Sequence, residues 1–194
     1  MKFQKSALII ALSSLLAVNA HADLNVSTAQ GFKDAYSKIQ ILFTQMYQSQ
    51  GVNQPVFSIE NFKDNGQTSS FDDLFQMSLE SVALDTRILG TKSQLQASHA
   101  AAETSFSGPT TLFVKNKDKT YFEAPGEVKG SLNNTGAYAG QATFKNIKHA
   151  EANVEVKVDD ITLAASGKVN SDVSQFESLS FNYGLNGFDV HTVF

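Results

Sequence analysis

Few residues in this chain have side chains suited to coordination or acid–base chemistry. Apart from His21, the imidazoles are His99, His149 and His191, and there is no cysteine at all. A neutral imidazole can ligate a metal or shuttle a proton. Two adjacent carboxylate pairs, Asp72-Asp73 and Asp159-Asp160, are the other candidates. Sequence neighbours point apart on a strand, so neither pair forms an acid/base couple by itself. Asp72-Asp73 fits the chemistry of a helix start and Asp159-Asp160 that of a hairpin turn. There is no Gly-x-Ser-x-Gly elbow, His-Glu-x-x-His helix or phosphate-cradling glycine loop. No regular oxygen-ligand spacing suggests a calcium loop either. The expectation is a binding protein, not an enzyme.

Composition and the first residues narrow its surroundings. Lys2 and Lys5, the apolar run from Ala7 to Val18 and Ala20-His21-Ala22 form the three parts of a secretory signal peptide over 1–22. The apolar run is shorter than the roughly 20 residues a membrane-spanning helix needs. The formal charge is −4, and removing Lys2 and Lys5 makes the mature chain more acidic. With no basic cluster, nucleic acid and anionic lipid are not expected partners. Without cysteine there are no disulfides and no covalent lipid anchor on a cysteine. The expected location is secreted or at the cell surface of a Gram-negative bacterium, with the periplasm as the alternative.

Ala29, Phe32, Tyr36, Ile39, Phe43 and Met46 recur at three- and four-residue steps, which predicts an amphipathic helix over 28–48. Ser27 or Thr28 can cap it, and Gly51 sits where it stops. Residues 56–62 read as a strand followed by an Asp64-Asn65-Gly66 turn. A short turn of helix is expected at 71–77, strands within 77–89, and helix or helical linker at 92–104, ended by Gly108-Pro109. Beyond it, glycines punctuate short β-rich runs at 111–114, 120–124, 136–144, 152–158, 161–169, 178–185 and 188–194.

The expected fold is α+β. A mixed helix/strand ligand-handling part at 23–108 precedes a C-terminal antiparallel β-barrel of about eight short strands at 109–194. Phe188, Val190 and Phe194 alternate like the end of an outer-membrane barrel. Eight spanning strands of about 10 residues would nevertheless use almost all of 109–194 before any loop.

Three stretches carry a family likeness. They are Thr135-Gly136-Ala137-Tyr138-Ala139-Gly140-Gln141-Ala142, Val154–Asp159 with Leu163–Val169, and Phe181-Asn182-Tyr183-Gly184-Leu185-Asn186-Gly187-Phe188-Asp189-Val190. Together they resemble the barrels of Slam-dependent exported proteins, among them hemophilins, transferrin-binding protein B lobes and factor H binding protein. The likeness covers roughly the last 60 residues. Val190 stands where alanine is usual, and the closing glycine is missing. Without an anchoring cysteine, the hemophilins are the closer parallel.

That resemblance implies a heme scavenger, with an outer-membrane Slam-type translocator as partner and a receptor as a further one. It makes His99 the candidate ligand to heme iron, since its neighbours Ala97, Ser98, Ala100 and Ala101 leave room for a macrocycle. His149, expected in a loop, is the second candidate, while His191 is expected to face solvent or pack locally. Tyr36 and Tyr47 are iron ligands in principle and core residues by pattern. Phe57, Phe62, Phe71, Phe75 and Met77 suit either a heme slot or an ordinary core. Three alternatives stay open: a secreted or surface protein-binding module without heme, a small outer-membrane β-barrel, and a periplasmic carrier of some other apolar ligand.

Overall fold

Thr28 has an extended backbone and its hydroxyl oxygen accepts from the Gly31 amide at 3.1 Å, opening helix α1 (Ala29–Ser49) as the capping residue expected. The computed structural model describes residues 23–79, 87–117, 119–151 and 154–192. The expected signal peptide, most of the 77–89 segment and Phe194 lie outside the described residues. Among the described residues nine strands follow the helix: β1 (Asn53–Asp64), β2 (Thr68–Leu79), β3 (Arg87–His99), β4 (Glu103–Lys115), β5 (Thr120–Asn133), β6 (Ala137–Glu151), β7 (Val154–Val169), β8 (Phe176–Asn186) and β9 (Asp189–Thr192). Each strand from β1 to β7 pairs antiparallel with the next, and β9 pairs with β7. The result is α+β in the broad sense, with β-structure dominating.

One face of the sheet curls around α1. Phe32 packs on Phe71 of β2, His99 of β3 and Phe106 of β4, with ring centroids 5.9, 5.5 and 6.0 Å away. Phe43, about three turns of helix further on, meets Phe57 of β1 at 6.0 Å and Phe176 of β8 at 5.0 Å. Buried Ala97, Leu132 and Val169 complete this core. Phe106 lies across Gly130, where a Cβ would run into its ring. A second core of Ala124, Phe144, Ile147 and Val158 sits elsewhere on β5 to β7.

This arrangement corrects several expectations. The strands do not close into a barrel, and the sheet begins at Asn53, far ahead of residue 109. A closed eight-stranded barrel has an interior just wide enough for side chains. A helix with its side chains is about 10–12 Å across, so enclosing α1 keeps the sheet open between β1 and β8. The boundary expected at 108/109 falls inside β4, where Gly108 pairs with Val128 and Pro109 with Glu127. The two expected parts therefore share one sheet.

The segment 92–104, expected as helix, is mostly β3. Ser93, Leu95, Ala97 and His99 turn inward and are buried, while Gln94, Gln96 and Ser98 are exposed. Ala, Gln and Leu are good helix formers, but pairing on both sides with β2 and β4 outweighs that local preference. Residues 71–77, expected as a helical turn, lie in β2 for the same reason. Asp159-Asp160 lies within β7 instead of at a turn.

Candidate binding margin

The sequence-predicted ligand His99 stands at the inner end of β3 and is only 6% exposed. Its Nδ1 lies 2.9 Å from Thr104 Oγ1 and its Nε2 lies 3.0 Å from Ser69 Oγ. The Thr104 hydroxyl donates its proton to the Val26 carbonyl. It can therefore only accept from His99, which puts the ring proton on Nδ1 and leaves Nε2 to accept from Ser69. Burial lowers the His99 pKa, with Asp64 pulling the other way. An iron ligand would use the unprotonated Nε2, which Ser69 occupies, beneath the ring of Phe32. As placed, this imidazole joins β2, β3, β4 and the segment preceding α1.

His149, expected in a loop, lies in β6 opposite Val156, half-buried and edge-on to Phe122 at 6.2 Å. His191 in β9 lies 3.0 Å from Glu155 and 3.6 Å from Asp189 at the surface. His99, in the helix-bound core, is not brought together with either. No cluster of three or more metal-ligating side chains occurs among the described residues. Of the aromatic residues that suit either a heme slot or an ordinary core, Phe57, Phe71 and Phe75 pack against side chains of the helix. Phe57 packs on Phe75 at 4.6 Å, and Phe75 packs on Tyr47 at 6.0 Å.

One polar knot ties helix to sheet, and its significance was missed in the sequence. Asp73, inward on β2, accepts from Gln40 Nε2 at 2.7 Å and from Tyr36 Oη at 3.2 Å. Burial pushes the Asp73 carboxyl up to about 6 against the pull of those two hydrogen bonds. Burial and the nearby carboxylate also raise the Tyr36 pKa. Asp72 points to the other face, where it accepts from Asn61 at 2.7 Å.

One depression, about 920 Å³, is lined by outward-facing Gln96, Ser98, Ser105, Lys129, Ser131 and Ser166 among others. It includes none of the histidines. Two further depressions lie over β4 to β6 and over β1 to β3, and none of the three includes a residue of β8.

The feature that departs most from an ordinary protein surface is β8. Among the described residues it pairs with β7 alone, leaving its other edge without a neighbouring strand. Phe181, Tyr183 and Leu185 alternate on its helix-side face and are 50, 87 and 53% exposed. Leu163 of β7 stands opposite Tyr183 and extends the same apolar strip. The strand is held from one side only, with Lys168 and Glu177 paired across β7 and β8 at 2.8 Å. It ends at Gly187, whose φ of 64° and contact with the Asp159 carboxylate leave no room for a side chain. There the chain shifts, and β9 takes over pairing with the first residues of β7.

Fold and margin together define an open antiparallel meander wrapped on one helix, with a largely exposed apolar row on its edge strand β8. No family model matches the chain, and no curated protein or solved structure matches it.

Proposed function

We propose that the protein is a secreted binding module that takes an extended segment of another polypeptide onto the free edge of β8. The observation that carries this reading is the alternation of exposed Phe181, Tyr183 and Leu185 on a strand paired along one edge only. Sheet edges are normally blunted by charge, proline or bulges. Ser178–Asn186 contains no charged residue and no proline. Unpaired backbone groups supply affinity for an added strand, and alternate apolar side chains supply its register. A strand suits this surface better than a small molecule, because no described depression includes β8.

The test is photo-crosslinking from benzoylphenylalanine placed singly at Tyr183 and at Leu185 in the producing cells. Strand addition predicts adducts with one polypeptide, at partner residues two apart in a single segment. Adducts scattered over many chains, or none to any other polypeptide, would overturn the reading.

A further inference from the structure

The acceptor strand is nearly its own complement. Taken from Ser178 to Asn186, the residues read polar, apolar, polar, apolar, polar, apolar, small, apolar, polar about a centre at Asn182. Laid antiparallel against a copy of itself around that centre, Phe181 faces Tyr183, Leu179 faces Leu185, Ser180 faces Gly184 and Ser178 faces Asn186. A two-fold axis perpendicular to the sheet keeps both apolar rows on the same side, so Phe181, Tyr183 and Leu185 of each copy would cover one another. No like charges meet. Glu177, the nearest charge, would fall opposite Gly187 and is already paired with Lys168.

We infer that the free protein self-associates by β8-to-β8 pairing across a two-fold axis at Asn182, which shields the acceptor edge until another strand displaces it. This rests on the reading of β8 as a strand acceptor. It names a second copy of the chain as the occupant of the edge in the absence of a partner. Symmetry supports that choice, since an isologous contact needs one self-complementary patch and β8 provides it.

The natural chain has no cysteine, which makes single-cysteine variants of the full protein decisive. Directly opposed residues in an antiparallel pair have Cα atoms about 4.5–5.5 Å apart, within the reach of a disulfide. Asn182→Cys should therefore form a disulfide-linked dimer on mild oxidation. Ser180→Cys should not, because its own counterpart lies four residues away along the strand, about 13 Å. Mixing Ser180→Cys with Gly184→Cys should restore crosslinking. In sedimentation experiments the unmodified protein should be dimeric, and Asn182→Lys, which sets two ammonium groups face to face, should be monomeric with an unchanged circular dichroism spectrum. A chain monomeric at every concentration, or Ser180→Cys crosslinking as readily as Asn182→Cys, would overturn self-pairing. Either result would leave strand acceptance to its own adduct mapping, so the two ideas fail separately.

Discussion

The ring of Phe43 on α1 lies 6.1 Å from that of Phe181 on β8, while its other neighbours include Phe57 on β1. The helix thus stands between the first and last strands of the meander, which would have to meet to close a barrel. Truncating Phe43 removes the aromatic wedge shared by both margins. Phe43→Ala should destabilise the protein by about 3 kcal/mol, at the lower end for a large aromatic because the site is only partly buried. Urea unfolding followed by circular dichroism measures it, and a loss below about 1 kcal/mol would show that the wedge does not hold the margins.

Asp73 makes stability depend on pH in a direction opposite to that of most carboxylates. Its folded pKa of about 6 lies above the ordinary aspartate value of 3.8, so the folded state holds the proton more tightly. The resulting stabilisation is full below pH 4 and is lost as pH rises to 6. Two pKa units correspond to about 3 kcal/mol. Relative to Asp73→Asn, the natural protein should lose about that much stability between pH 4 and pH 7. Parallel stability curves for the two proteins would remove this role.

His99→Ala should cost about 2–4 kcal/mol, because it strands the hydroxyls of Ser69 and Thr104 and opens a gap beneath Phe32. The expected result of adding hemin is an absorbance spectrum identical for the natural protein and the variant. A Soret shift present in the first and lost in a folded His99→Ala protein would return His99 to the role of iron ligand.

Tyr183 separates binding from folding. At 87% exposure it contributes little to the core, and Tyr183→Ala should change stability by less than about 0.5 kcal/mol. The same substitution should reduce partner adducts formed from a crosslinker at Leu185 by at least tenfold. Unchanged adduct yield would move the binding surface away from β8.

The cap of the helix offers a smaller check. Thr28→Ala removes the acceptor for the Gly31 amide and should cost about 1 kcal/mol, read as a lower urea midpoint.

Much of this molecule is legible from residue order alone. The three- and four-residue spacing from Ala29 to Met46 specifies a helix with one apolar face, because only a 3.6-residue period brings those positions together. Asp64-Asn65-Gly66 and Asn133-Asn134-Thr135-Gly136 specify turns, because their glycines adopt φ values of 82° and 84° that other residues resist. The strands after residue 120 were readable for the same local reasons.

Other features belong to the tertiary structure. Residues 93–99 carry helix-forming Ala, Gln and Leu, and only the ladders on either side hold them extended. His99 looks like a candidate ligand until Ser69, thirty residues away, and Thr104 close on its two nitrogens. Alternation along β8 marks which side chains share a face, but not whether anything covers that face. Coverage depends on where α1 sits and on whether β1 reaches β8. Both follow from the space a helix occupies inside a curled sheet, a long-range property that no short stretch of chain encodes.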